Sequence, residues 1–121
     1  MPQIAVEYSG NLGAAFDAES LADRIHGIVA ATIDTPLGNC KTRLIELQRY
    51  VIGDGGAREA MVHVDLRILS GRGEAEKKRL GEAVLAAAAE AIGEPEGLRV
   101  QLTVEVRELD RENYHKRLIR G

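Results

Sequence analysis

Apolar and polar residues alternate in three stretches of this chain, and apolar residues recur at helical spacing in two others. Between Pro2 and Tyr8, the residues Ile4, Val6 and Tyr8 stand against Gln3, Ala5 and Glu7, which is the period-two pattern of a half-buried strand. Ser9-Gly10-Asn11 supplies turn residues. Leu21, Ile25, Ile28 and Val29 then form one helical stripe, with Asp17 or Ser20 able to cap its start and an end near Ala31 or Thr32. Asp34 to Asn39 reads as a loop, because Pro36 keeps the residue before it out of helical conformation and Gly38-Asn39 tolerates turns. A second strand is expected from about Arg43 to Ile52.

Gly53-Asp54-Gly55-Gly56 breaks the pattern, and alternation resumes from Met61 to Leu69, with Val62, Val64, Leu66 and Ile68 on one face. Gly71-Arg72-Gly73 leads into a second helix that buries Leu80, Val84, Leu85, Ala88 and Ile92, with Gly93 placed to end it. Leu98 to Val106 is the cleanest strand. The order strand, helix, strand, strand, helix, strand repeats at an offset of about 58 residues, which lays Val6 on Val64. The expectation is one α+β domain over residues 1–121: a tandem β-α-β repeat forming a four-stranded mixed sheet, with both helices on one face. The other face carries Glu7, His63, Arg67, Thr103 and Glu105 beside Ala5, Met61 and Leu69, a mixture that suits a subunit interface. The polar, basic residues from Asp110 to Gly121 need a surface to lie on if they are ordered.

Composition narrows the function. A net charge of −3 with lysine and arginine spread along the chain offers no basic stripe for nucleic acid, and four aromatic rings give few stacking platforms. No apolar run approaches the roughly 18 residues of a membrane span, and the start lacks a signal-peptide pattern, so a cytoplasmic location is expected. Cys40 is the only cysteine and reads as structural. With only His26, His63 and His115 scattered along the chain, no metal-ligand cluster is expected. A small core poor in large rings favours self-association.

Three segments carry a resemblance: Met1-Pro2-Gln3-Ile4-Ala5-Val6-Glu7-Tyr8-Ser9, Ala60 to Arg72, and Leu102 to Leu109 followed by Asn113-Tyr114-His115-Lys116. Together they are similar to the 5-carboxymethyl-2-hydroxymuconate Δ-isomerase family of the tautomerase superfamily, over nearly the full length. The resemblance implies a homotrimer with an active site around an N-terminal proline. It also implies a proton transfer on a small anionic substrate in the breakdown of homoprotocatechuate, with no metal or organic cofactor. Arg43 matches the family arginine after the loop before strand two, and Gly71-Arg72 matches the glycine-arginine that ends strand three. A family arginine two positions before Arg43 is Lys41 here, and the stretch from Glu46 to Tyr50 lacks a tryptophan.

The chemistry of these residues agrees. Removal of Met1 would give Pro2 a secondary amine; α-amino groups titrate near 7.7–8.0, and burial or nearby cations favour the neutral, basic form. On position alone, Pro2 reads as no more than the marker of a processable terminus, and it is the rest of the pattern that makes it a candidate base. Arg72 precedes a helix start that attracts anions, with pairing to Glu74 or Glu76 as its alternative. Arg43 shares a strand face with Ile45 and Leu47, where either a substrate carboxylate or an interface ion pair explains it. His63 reads as an interface or structural histidine. The candidate site is therefore Pro2, Arg43 and Arg72. Two other readings stay open: a superfamily enzyme acting on another substrate, as a general tautomerase, decarboxylase or dehalogenating hydratase, and a non-catalytic ferredoxin-like binding module.

Overall fold

The computed structural model describes residues 1–121. Strand β1 (Gln3–Ser9) leads through a short 3₁₀ segment to helix α1 (Ala18–Thr32), then β2 (Lys41–Leu47), β3 (Glu59–Leu69), α2 (Glu74–Ala91) and β4 (Arg99–Leu109). The sheet order is β2-β1-β3-β4, with β1 parallel to β2, β3 parallel to β4, and β1 antiparallel to β3. Each β-α-β unit thus pairs its own two strands directly. A ferredoxin-like fold is built from split β-α-β units, in which another strand separates the two, so the observed topology rules that module out.

Alternation decides which face is buried. Ile4 and Val6 of β1 and Val62, Val64, Leu66 and Ile68 of β3 lie in one core with Leu21, Ile25 and Val29 of α1 and Leu80 and Val84 of α2. Both helices therefore cover the same side of the sheet, as the periodicity predicts. Asp17 is the cap of α1, accepting from the Ser20 backbone N–H at 3.0 Å. Cys40 packs in this core, and burial pushes its thiol up, as expected of a structural cysteine. No helix is long and apolar enough to cross a membrane.

Two boundaries differ from expectation. Strand β2 runs from Lys41 to Leu47, not from Arg43 to Ile52, because its pairing is limited by its neighbour: Gln3 faces Lys41 and Ser9 faces Leu47. Beyond Ser9 the chain leaves β1, so β2 has nothing further to bond. Leu85 is 41% exposed, since α2 centres its buried stripe on Leu80, Val84, Ala87 and Ala88. Helix α2 stops at Ala91 with Ile92 already extended, and Gly93 follows, its backbone N–H donating to the Ala15 carbonyl at 2.8 Å.

The antiparallel join places the starts of β1 and β2 and the ends of β3 and β4 at one end of the sheet. That end carries Pro2, the Gly71-Arg72 loop and the C-terminal segment.

Candidate active site

Pro2 is fully buried immediately before β1, and its carbonyl accepts from the Lys41 backbone N–H at 3.2 Å, which ties it to the start of β2. With Met1 attached, the Pro2 nitrogen is an amide without a basic lone pair. The free amine is that of Met1, held below its ordinary value first by burial and then by the charges of Lys41, Arg72, Lys116 and Arg111. None of these four cations is in an ion pair with a carboxylate. A chain of net charge −3 therefore concentrates uncompensated positive charge around its N-terminus.

Arg72 reaches this cluster because the chain turns sharply after β3. Gly71 has φ of +118°, a conformation that side chains other than glycine rarely adopt, and Gly73 caps α2. The guanidinium is half-buried and donates from Nη2 to the Ile33 carbonyl at the end of α1, at 2.9 Å. Pairing with Glu74 does not occur: Lys77 Nζ takes that carboxylate at 2.8 Å. A guanidinium with unused donors remains, and its charge is felt at the N-terminus.

Arg43 is placed differently. It stands on the outer sheet face opposite Ala5, donating from Nη2 to Gln3 Oε1 at 2.6 Å and from Nη1 to the Ile4 carbonyl at 3.4 Å. It lines a concavity of about 250 Å³ with Gln3, Ala5, Asp65, Arg67 and Leu109. Asp65 there accepts from Arg107 at 2.7 Å and Arg67 at 3.2 Å, and these hydrogen bonds and charges hold its carboxyl below the usual range. A single copy thus puts Pro2 and Arg72 at the same end of the sheet and leaves Arg43 on its outer face. His63, on the same face, shares a 2.7 Å hydrogen bond with Thr103. A larger concavity of about 400 Å³ lies at the opposite end of the sheet, among Asn11, Arg49, Tyr50 and Gly55, and contains none of the candidate residues.

Lys41, Arg111 and Lys116 join the cluster without having been singled out for it. In the sequence Lys41 shows only as a replacement for a family arginine. Arg111 and Lys116 sit in a polar tail, where charge reads as solvation. The sole sequence signal for the tail was its Asn113-Tyr114-His115-Lys116 segment. No group of three or more His, Cys, Asp or Glu side chains is positioned to hold a metal.

Comparison with known proteins completes the description. The family model for 5-carboxymethyl-2-hydroxymuconate isomerase matches residues 2–120. The chain is 30% identical over 82 residues to a 5-carboxymethyl-2-hydroxymuconate Δ-isomerase of Escherichia coli, a match covering 68% of this chain and 65% of that protein. It thus spans just under two thirds of that relative's length. A solved 5-carboxymethyl-2-hydroxymuconate isomerase from Deinococcus radiodurans R1 is similar at 29% identity and a TM-score of 0.79, covering 96% of this chain and 88% of that one. A second solved 5-carboxymethyl-2-hydroxymuconate Δ-isomerase is similar at 25% identity and a TM-score of 0.83, covering 98% and 88%. With nearly every residue matched and the tandem β-α-β topology in place, the chain belongs to the 5-carboxymethyl-2-hydroxymuconate isomerase family.

Proposed function

We propose that this protein is a cofactor-independent isomerase that moves a proton within a small unsaturated oxo- or hydroxy-dicarboxylate, using the Pro2 amine freed by removal of Met1 as the base. The observation that carries this reading is the gathering of four cations, none paired to a carboxylate, around the buried start of β1. After Met1 removal the new amine lies one residue further into the same surroundings. Burial and positive charge there both disfavour its protonated form. The neutral amine takes the proton leaving the substrate and becomes an ammonium. The electron pair left behind shifts through the conjugated system, and the proton is returned at another carbon, so the enzyme ends unchanged.

Arg72 binds a substrate carboxylate or the developing enolate oxygen, where a prepositioned guanidinium stabilises negative charge as it forms. Arg43 acts across a subunit boundary in this reading, since its own chain uses it on the outer face. That face, with exposed Ile45 and half-buried Ala5, Met61 and Leu69 among charged residues, supports a homotrimer of the kind the sequence resemblance implies.

The test uses protein whose N-terminus is established by mass spectrometry. Turnover of 2-hydroxymuconate-type dienols, with phenylpyruvate as a second substrate, is measured beside sedimentation. Proton transfer on at least one substrate, by a trimer with proline at its N-terminus, is expected. An inactive Pro2 terminus, or full activity in a stable monomer, overturns the reading.

A further inference from the structure

The C-terminal segment crosses the whole end of the sheet that holds Pro2. It leaves β4 at Leu109 and is pinned over β3 by Arg111, whose Nε and Nη2 both donate to the Ser70 carbonyl, at 3.1 and 2.9 Å. Over β1 it is held by Tyr114, whose hydroxyl accepts from Gln3 Nε2 at 2.9 Å. It reaches the start of β2 with Lys116, whose Nζ donates to Asn39 Oδ1 at 3.2 Å and lies 3.7 Å from Met1 Sδ. The three contacts fall in chain order just past the end of β3, at the start of β1 and just before β2, so the segment is a strap across this end of the sheet.

The three residues differ in what they leave unused. Both donor groups of Arg111 that are engaged go to one carbonyl, and Tyr114 is a neutral, half-buried anchor. Lys116 is exposed and has no carboxylate partner. One of its two contacts is the thioether of Met1, the residue whose removal the proposed function requires. Processing therefore releases a donor of Lys116 next to the N-terminus, while the Asn39 contact keeps the ammonium in place. Arg72 belongs to the β3–α2 loop and Lys116 to the strap, and the charge of each is felt at the N-terminus.

We propose that Lys116 is a specificity residue, binding the second carboxylate of a dicarboxylate substrate whose first carboxylate or oxo group is held by Arg72. The assignment rests on the proposed function for the position of the substrate. As a compact charge on a flexible stem, Lys116 contributes attraction without demanding a two-toothed geometry, so an arginine should substitute for it in large part.

The test is a binding experiment, independent of turnover. Muconate and sorbate share a six-carbon diene and differ in having two carboxylates or one. Their dissociation constants for the full chain with its N-terminus established are measured by calorimetry. The unaltered protein should prefer muconate by roughly tenfold or more, the usual scale of one charge-assisted contact. Lys116→Gln should reduce that preference to within about threefold, while sorbate affinity stays nearly constant and Lys116→Arg keeps most of the preference. Tyr114→Phe, which loosens the strap without removing charge, should affect both ligands alike. No preference in the unaltered protein, or an unchanged preference in Lys116→Gln, overturns the assignment. If muconate selectivity depends on Lys116 while every dienol and phenylpyruvate remain unreacted, the isomerase reading fails and the Lys116 contact stands.

Discussion

Replacing Arg72 with alanine separates a role in chemistry from a role in folding. In the folded chain its guanidinium makes one hydrogen bond, to the Ile33 carbonyl at 2.9 Å, and pairs with no carboxylate. Losing that bond should cost about 0.5–1.5 kcal/mol of stability. For a domain of this size that is a Tm decrease of only several degrees, near the 4–8 °C per kcal/mol expected for slightly smaller domains. No acidic group is left orphaned, so no larger penalty follows. A contact to charge developing in the transition state is worth on the order of 2–4 kcal/mol, or roughly a thirty- to thousand-fold loss in kcat/KM. The same substitution removes a positive charge that disfavours protonation of the terminal amine, so the ionisation controlling kcat/KM should move to higher pH. Full pH profiles of kcat/KM for Arg72→Ala and Arg72→Lys, with thermal melts of each, provide the assay. Lysine should restore the position of the ionisation better than it restores the rate, because it returns charge without the guanidinium's geometry. Arg58→Ala is the control: its side chain is exposed in the turn before β3 and should change neither property. A kcat/KM within threefold of the unaltered protein for Arg72→Ala, with the ionisation unmoved, would refute the reasoning.

Three further expectations follow from individual groups. In the processed protein kcat/KM should rise with pH along one ionisation below the 7.7–8.0 of an ordinary α-amino group, since the protonated amine is inactive and its surroundings disfavour it; Pro2→Ala should lower activity by orders of magnitude, and a variant retaining Met1 should abolish it while keeping its sedimentation unchanged. Gly71→Ala forces a side chain into φ of +118° and should destabilise by about 1–3 kcal/mol in urea unfolding, with Arg72 displaced and kcat/KM reduced further than stability alone explains; an unchanged unfolding midpoint would contradict the strain argument. The folded-state pKa of Asp65 is lowered by Arg107 and Arg67, so its contribution to stability is fully present above the unfolded carboxylate value of about 3.9 and is lost as pH falls through the lower folded value; the unfolding free-energy difference between the unaltered protein and Asp65→Asn should be level above about pH 5 and shrink in acid.

Alternation and helical spacing in the chain by themselves determined the element order, the faces and the core. Ile4, Val6, Val62, Val64, Leu21, Ile25, Leu80 and Val84 all lie where their periodicity directs, because a strand or helix with one apolar side has one way to bury it. Pro2 and Arg72 were legible as candidates only through the resemblance, which added weight to the first's position and to the second's two flanking glycines. The parallel pairing of strands one with two and of three with four follows from right-handed crossovers and is what the sheet shows, but where pairing stops was not legible. Strand β2 ends where β1 ceases to offer partners, and Leu85 is exposed because the second helix is rotated toward Leu80, Val84 and Ala87; both depend on a neighbour distant in sequence. The order of the whole sheet, with β1 and β3 joined antiparallel at its centre, is likewise a property of the assembled structure. The tertiary structure alone placed Arg43 on the outer face beside Gln3 and brought Lys41, Arg111 and Lys116 to the N-terminus. The antiparallel join of β1 and β3 turns the first and last residues of the chain toward the same end of the sheet, and local sequence patterns carry no record of contacts across 111 residues such as that between Gln3 and Tyr114.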